Sequence, residues 1–149
     1  MRYKLIPVNK LKVCDSNPGT KIKVSNAEDA VEVLKGFFCS VADDQERVVV
    51  LGLNNNGQVI GLQVVHVGGM NSSLIDRACV LRHVLVSGAT SFIVAHNHPG
   101  GNPAPSQDDK NVADTILKGS LVVGVKLVDF IIIGDETGNS YSFSTEKLI

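Results

Sequence analysis

Residues 95–109, AHNHPGGNPAPSQDD, bring histidine, serine and aspartate side chains together in one short stretch. His96 and His98 are two residues apart, so in an extended chain both imidazoles point to the same side. Neutral imidazole is a common zinc ligand, and two imidazoles from one segment need one or two further ligands to hold the ion. The stretch therefore predicts a metal site that other residues must complete.

The loop after His98 leads to a helix start that carries Ser106 and Asp109. Prolines stiffen this loop and its glycines let it turn sharply. Ser-x-x-Asp ahead of an apolar run is typical of a capping box, and a lone histidine is ordinarily a hydrogen-bonded loop residue. A helix cap, however, does not need two histidines on one side of the chain beside it. The joint pattern from His96 to Asp109 therefore favours a functional site.

The elements around this stretch have an α/β pattern. SFIVA (91–95) is almost wholly apolar, which is typical of a central strand covered on both faces. LIDRACVLRHVLVS (74–87) predicts a helix that ends near Gly88. After Ser106, QDDKNVADTILKGSL predicts a second helix, and VKLVDFIIIG and SYSFS predict the last two strands. The apolar face of that second helix is formed by Val112, Ala113, Ile116 and Leu117.

The preceding part of the chain predicts a helix and a hairpin. In SNAEDAVEVLKGFF, Ser25 and Glu28 have capping-box spacing. RVVVLGLN and QVIGLQVVHV flank Asn-Asn-Gly, which indicates a β-hairpin. We expect residues 1–24 to form an N-terminal extension, in which YKLIPVNKLKV is a candidate for an added strand. The apolar face of the helix is formed by Ala30, Val31, Leu34, Phe37 and Phe38. The expected order is β-α-β-β-α-β-α-β-β, with the two later helices as crossovers.

Composition bounds the class of protein. The 149 residues are 44% hydrophobic and only 5% aromatic, so the core must be built from Val, Ile and Leu, which suits an α/β fold. A net charge of −1 gives no general attraction to nucleic acid or to an anionic membrane. No apolar run approaches the roughly 20 residues that span a bilayer. The opening MRYKLIPVNK is too charged for a signal peptide, and the three cysteines form no disulfide pattern. We therefore expect a cytoplasmic protein without membrane partners.

The motif resembles that of the JAMM (MPN+) metalloproteases, and HNHPGGNPAPSQDD is similar to its form in RadC-like bacterial proteins. The resemblance extends to VVVLGLNNNGQVIG, GGMNSSLIDRACVL and VKLVDFIIIGDETGNSYSF, and covers roughly residues 30 to 145. It implies a RadC-like JAB/MPN domain over residues 25–149. It also implies a cytidine-deaminase-like α/β sandwich, with a mixed central β-sheet flanked by helices. By the same resemblance, His96, His98 and Asp109 would hold a zinc ion.

JAMM enzymes also use a glutamate on an earlier strand as general base, and this position falls on Glu46. From the residues alone, Glu46 is an ordinary solvated glutamate at the end of an acidic turn, and Asp43 and Asp44 compete for the role. The resemblance, in which VVVLGLNNNGQVI aligns without a gap, favours Glu46. It also implies that Ser106 hydrogen-bonds a zinc-bound water or the developing oxyanion.

Some positions depart from the family pattern. RadC-like proteins usually have Ser where Gly100 stands, Pro-Arg-Glu where this chain has residues 77–79, and Asp-His where it has residues 129–130. None of these positions is a predicted zinc ligand, so the departures bear on substrate recognition. His66 and His83 match no ligand spacing, and we expect them on a strand face and a helix face.

The resemblance implies a zinc-dependent hydrolase, with a peptide or protein substrate and a zinc-activated water as nucleophile. One alternative is a DNA-repair-associated or nucleic-acid-processing role, the traditional label of RadC-like proteins. Residues 1–29 do not resemble the helix-hairpin-helix segment of those relatives, and the chain has no basic cluster. A zinc deaminase is excluded because neither His-x-Glu nor Pro-Cys-x-x-Cys occurs. Another alternative is a non-catalytic MPN scaffold, against which the complete ligand set argues. The oligomeric state stays open.

Overall fold

A computed structural model describes residues 21–41, 44–68, 75–135 and 137–149. The predicted strand YKLIPVNKLKV lies outside these residues, so the N-terminal extension stays a prediction. The described elements are α1 (Ala27–Ser40), β1 (Arg47–Leu53), β2 (Val59–Val67), α2 (Arg77–Ser87), β3 (Ser91–His98), α3 (Gln107–Val123), β4 (Lys126–Gly134) and β5 (Ser140–Ser142). Their order matches the predicted order from α1 onward.

The strands form one mixed sheet in the order β2-β1-β3-β4-β5. β1 pairs antiparallel with both β2 and β3, β3 pairs in parallel with β4, and β4 pairs antiparallel with β5. β2 and β3 therefore run in the same direction, and α2 connects them. α3 connects the parallel pair β3 and β4. Both helices are crossovers, as the sequence predicts, and the mixed sheet flanked by helices is confirmed.

Both faces of the sheet are covered, which gives an α/β/α sandwich. On one face the side chains of the central strands pack against α1, through Ala30, Leu34 and Phe38. On the other face they pack against α2 and α3. Alternate residues of β3 go to opposite sides, so Phe92 and Val94 face α2 and α3 while Ile93 and Ala95 face α1. Burial on both faces explains why these strands are continuous apolar runs rather than alternating ones.

The start of α1 corrects a prediction. Asn26, not Ser25, is the N-cap residue, and its side chain accepts a hydrogen bond from the Asp29 main-chain N–H at 2.8 Å. The main-chain N–H of Ser25 donates back to the Asp29 carboxylate at 2.7 Å. Asn and Asp thus cap the helix one residue later than the predicted pair of Ser25 and Glu28, since Asn caps as well as Ser. On the predicted apolar face, Val31 and Phe37 are only partly buried.

The hairpin between β1 and β2 forms where Asn-Asn-Gly predicts it. The Asn54 side chain accepts the main-chain N–H groups of Asn56 at 2.9 Å and Gln58 at 3.0 Å. Gly57 has a φ of +72°, and a Cβ atom there would lie 2.7 Å from the Val24 carbonyl oxygen. Both the backbone angle and the close approach therefore require glycine at this position.

Asp129, near the start of β4, anchors the end of the chain. It is only 3% exposed, and its carboxylate accepts hydrogen bonds from the main-chain N–H groups of Phe130 at 2.7 Å and Ser144 at 2.9 Å and from the Ser142 hydroxyl. Burial raises the pKa of Asp129, and the Ser142 hydrogen bond opposes this shift. The residue that departs from the family pattern is the next one, Phe130, which is buried and whose main-chain N–H donates to this carboxylate.

Among the described residues, no helix combines the length and the apolar character needed to cross a bilayer.

Candidate metal centre

The end of β3 brings two imidazoles to one side of the sheet. The strand continues beyond the predicted SFIVA through His98, so His96 and His98 keep the alternation of Phe92 and Val94 and face the side covered by α3. Their ring centroids lie 4.6 Å apart. His96 is completely buried, whereas the His98 side chain is 20% exposed.

Asp109, in the first turn of α3, completes this group. Its Oδ1 lies 3.5 Å from His96 Nε2, and its Oδ2 lies 3.7 Å from His98 Nε2. One potential ligand atom from each of the three residues lies within 4.8 Å of the other two. The structure thus brings the three predicted ligands together, and zinc binding by them stays a prediction.

The unpaired polar atoms of this group fit a bound cation. Nε2 of His96 and Oδ1 of Asp109 are buried and make no hydrogen bond. Burial of such groups without a partner costs free energy, so most buried polar groups in proteins are bonded. Two imidazole nitrogens and a carboxylate oxygen are a common donor set of catalytic zinc sites. The residues present therefore fit the zinc ion that the motif implies.

The tautomer of His98 is set by the loop that follows it. Its Nδ1 lies 2.7 Å from the carbonyl oxygen of Asn102. Because a carbonyl oxygen only accepts, Nδ1 carries the hydrogen, and the lone pair of Nε2 is left on the side of Asp109. A ligand histidine is commonly oriented in this way by a main-chain carbonyl.

The pKa of His96 favours the form that binds a metal. Burial lowers this pKa from 6.5 to about 4, the negative charge of Asp109 opposes the shift, and His98 adds to it. His96 is therefore neutral at pH 7. Neutral imidazole is the species that coordinates an ion, so no proton has to leave the ring first.

Ser106 is the N-cap of α3 and orients Asp109. Its hydroxyl accepts from the Asp109 main-chain N–H at 3.1 Å and donates to Asp109 Oδ2 at 2.7 Å, and its own main-chain N–H donates to the same oxygen at 2.7 Å. The predicted capping box is confirmed. Since Oδ2 accepts both bonds from Ser106, Oδ1 is left facing His96. A contact between Ser106 and a bound water stays a prediction.

The motif loop rests on the turn after β4. The Gly101 main-chain N–H donates to the His98 carbonyl at 3.0 Å, and its carbonyl accepts from the Thr137 hydroxyl at 2.7 Å. A Cβ atom on Gly134 would overlap the Gly101 carbonyl, so only glycine allows this approach. A Cβ atom on Gly100 would meet nothing within 4 Å, so the family serine at this position would fit in open space.

Glu46 lies one residue before β1, next to the end of β3. Its carbonyl accepts from the Gly68 main-chain N–H at 2.9 Å, which continues the pairing of β1 with β2 by one step. Val48 lies opposite His96 in the last pair of the β1–β3 ladder, and Glu46 lies two residues beyond that pair, toward His98. Residues opposite each other in an antiparallel pair share a face. Glu46 is half-buried and is not in the ligand group. Its role as a base stays a prediction.

Of the three carboxylates that compete for the role of general base, Glu46 and Asp44 lie at one cleft. Glu46 lines a cleft together with Asp44, Pro99 and Gly100. Asp44 is exposed, and Asp43 lies outside the described residues. The cleft thus contains both described candidates for the base, beside the loop that follows His98.

Sequence reasoning missed Asn97, the residue between the two histidines. Its side chain is on the opposite side of the sheet and only 2% of the residue is exposed. Oδ1 accepts from the Arg47 main-chain N–H at 2.6 Å, and Nδ2 donates to the Gln45 carbonyl at 3.2 Å and to the Asp135 carboxylate. Only the histidine spacing carries a pattern in the sequence, and no feature of the sequence marks these long-range bonds.

The other two histidines lie where the sequence predicts them. His66 is on β2, opposite Val48, and its Nε2 is buried without a hydrogen bond. His83 is on α2, and its Nδ1 lies 2.8 Å from the Cys79 carbonyl oxygen, to which it donates. Neither histidine belongs to the ligand group found among the described residues.

Comparison with known proteins places this site in a family context. A family model described as the RadC-like JAB domain matches residues 24–148. A UPF0758 protein of Carboxydothermus hydrogenoformans is 40% identical over 105 residues, which are 70% of this chain and 45% of the relative. UPF0758 proteins of Bacillus licheniformis and Gloeothece citriformis are 39% identical over 109 residues (73% of this chain, 48% of the relative) and 34% identical over 128 (86% and 51%). The chain spans about half the length of these curated relatives, and their names state no activity.

Proposed function

Since the chain belongs to the RadC-like JAB domain family, we propose that it is a zinc-dependent hydrolase of the JAMM type that cleaves peptide or isopeptide bonds. The observation that carries the proposal is the ligand group of His96, His98 and Asp109, with its buried and unpaired polar atoms. Within the described part of the chain the group has three protein ligands, which is the usual number at a catalytic zinc, whereas structural zinc sites ordinarily have four. The group therefore favours catalysis over a purely structural ion.

The proposed chemistry divides among the chain's own residues. When bound, zinc would supply a Lewis acid that makes water nucleophilic near neutral pH. Glu46 would accept a proton from the attacking water and return it to the leaving amine. Ser106 would hold Asp109 in place. The further role predicted for Ser106, a hydrogen bond to the water or the oxyanion, would require its hydroxyl hydrogen to leave Asp109 Oδ2.

A protein or peptide substrate and a cytoplasmic location belong to the same proposal. A net charge of −1 gives no support for binding to the nucleic-acid backbone. No contact or charge cluster in the described residues favours the nucleic-acid role, and the ligand group argues against a non-catalytic scaffold. The hydrolase is therefore the function that the site supports best.

The proposal is tested by a cleavage screen of zinc-loaded protein against peptide and isopeptide substrates. We expect Glu46→Gln to bind as much zinc as the wild type but to lose about 10²–10⁴-fold in turnover, the usual contribution of a general base. Asp44→Asn and Asp43→Asn are matched controls, because each removes one negative charge within three residues of Glu46 in the sequence, and both should keep near wild-type turnover. Wild-type turnover by Glu46→Gln would assign the base to another residue.

A further inference from the structure

The segment that carries Glu46 is bonded on both sides of this residue by the side chain of Asn97 from β3. The Asn97 amide bonds the residue before Glu46, through the Gln45 carbonyl, and the residue after it, through the Arg47 N–H. The guanidinium of Arg47 also donates to the Gln45 carbonyl at 3.4 Å. Asn97 therefore contacts the main chain on both sides of Glu46.

A primary amide suits this position because it offers an acceptor and two donors. Oδ1 bonds the Arg47 N–H, one Nδ2 hydrogen bonds the Gln45 carbonyl, and Nδ2 also bonds the Asp135 carboxylate. Aspartate at position 97 would keep the size of the side chain but lose both donors. It would also place a negative charge next to Asp135.

The position of Asn97 links this contact to the metal centre. Along β3 the side chains of His96 and His98 face α3, and the Asn97 side chain between them faces the other side of the sheet. Three consecutive residues therefore supply two of the ligand group and the contact that holds residues 45–47. A shift of one relative to the other would require β3 itself to distort.

We propose that Asn97 is a positioning residue, which fixes Glu46 beside the ligand group by holding the main chain on both sides of it. This inference rests on the proposed function, because that function gives Glu46 its role. It goes beyond that function because it names the contact that holds Glu46 in position. The side chain of Asn97 is on the opposite face of the sheet and takes no part in the chemistry.

The inference is tested by NMR on labelled protein with two readouts. The first is hydrogen exchange of the Arg47 amide in the metal-free protein. The second is the change in the Glu46 carboxylate ¹³C resonance when one equivalent of zinc is added, which reports how close this carboxylate lies to the ion. In Asn97→Ala we expect Arg47 exchange to be about tenfold faster, as for one lost hydrogen bond. We expect zinc to bind still and the response of Glu46 to fall by more than half.

Asp135→Ala is the matched control, because it removes only the third bond of Asn97. If Asn97 positions Glu46, both readouts in Asp135→Ala stay close to the wild type. If Asn97 only ties β3 to the turn after β4, Asp135→Ala changes both readouts as much as Asn97→Ala does, which overturns the inference. Unchanged readouts in Asn97→Ala overturn it as well.

Should Asn97→Ala fail to fold, the double variant Asn97→Asp/Asp135→Asn takes its place. It removes the donor to the Gln45 carbonyl. It keeps an acceptor for the Arg47 N–H and an amide–carboxylate pair between positions 97 and 135. We expect this protein to fold with a reduced Glu46 response, and a wild-type response overturns the inference. A different failure belongs to the proposed function. If zinc binds to the wild type and the Glu46 resonance does not move, the role of Glu46 falls together with this inference.

Discussion

Asp109 and Asp129 are both nearly inaccessible to solvent, yet their hydrogen bonds set them apart. Both oxygens of Asp129 are bonded, to two main-chain N–H groups and the Ser142 hydroxyl. Asp109 has two bonds from Ser106 on Oδ2 and none on Oδ1, which lies 3.5 Å from His96 Nε2. The bonds on both oxygens of Asp129 give this carboxylate a structural role, since they join β4 to the end of the chain. Asp109 is bonded only through Oδ2, and its free Oδ1 lies beside an imidazole, which is an arrangement suited to binding a ligand.

Alanine substitution of each aspartate gives the largest expected contrast. Asp129→Ala leaves the buried Phe130 N–H and the less buried Ser142 and Ser144 donors without their acceptor, and we expect it to lower the free energy of unfolding by roughly 3 kcal/mol while zinc still binds. Asp109→Ala should instead lose zinc affinity by about 100-fold or more, because one of three ligands is removed. Urea unfolding and zinc titration measure the two effects.

Asp129→Asn is the control for the first arm, since its amide oxygen still accepts and its loss of stability should be smaller. The comparison breaks if folded Asp129→Ala cannot bind zinc, or if Asp109→Ala binds it as tightly as the wild type.

A second prediction concerns pH in the metal-free protein. Because the pKa of His96 is lowered from 6.5 to about 4, the unfolded chain takes up this proton before the folded one does. The contribution of neutral His96 to the free energy of unfolding is therefore fully present above pH 6.5. It falls by up to about 3 kcal/mol as the pH drops toward 4. The measurement is urea unfolding at several pH values in this window.

Asp129 has a raised pKa, so its contribution has the opposite sign and its penalty is relieved as the pH falls. The free energy of unfolding is therefore compared between the wild type and His96→Gln at each pH. Asp129 is present in both proteins, so its contribution cancels in the difference. A difference that does not change between pH 6.5 and 4 would contradict the assignment of the pKa to His96.

The smallest expected effect is that of Ser106→Ala. Loss of the N-cap should cost about 1 kcal/mol of stability. Because Ser106 also holds Asp109 Oδ2, zinc affinity should fall by roughly 10-fold to 100-fold, with full occupancy still reached at high zinc concentration. Thr115→Ala removes a hydroxyl on the same helix that bonds the Asn111 carbonyl, and it should change neither the zinc affinity nor the cap. Equal zinc affinity in Ser106→Ala and Thr115→Ala would limit Ser106 to capping.

Local patterns in the sequence predict much of this arrangement. The Ser106 capping box, the Asn-Asn-Gly hairpin and the crossover helices depend on neighbours a few residues apart, and the structure confirms them. The sequence pattern places the N-cap of α1 one residue too early, because Ser25 and Asn26 are both good capping residues. When two adjacent residues can both cap a helix, the packing of the helix decides which of them does.

Long-range bonds account for what the sequence does not predict. The two contacts of Asn97 to the segment around Glu46 join residues 50 or more positions apart, and the Asp129 contact joins β4 to β5 and the residues beyond it. These bonds depend on the register of the sheet, which no short motif specifies. The group of His96, His98 and Asp109 is different, because one strand end and one helix start within a single motif bring it together.

The most direct test of the metal centre is the zinc content of the purified protein, measured by elemental analysis in the wild type and in His96→Ala/His98→Ala. We predict about one zinc per wild-type chain and nearly none in the double variant, because Asp109 alone cannot hold the ion. Circular dichroism establishes that the double variant is folded. A folded double variant that keeps one zinc per chain would contradict the metal centre described above.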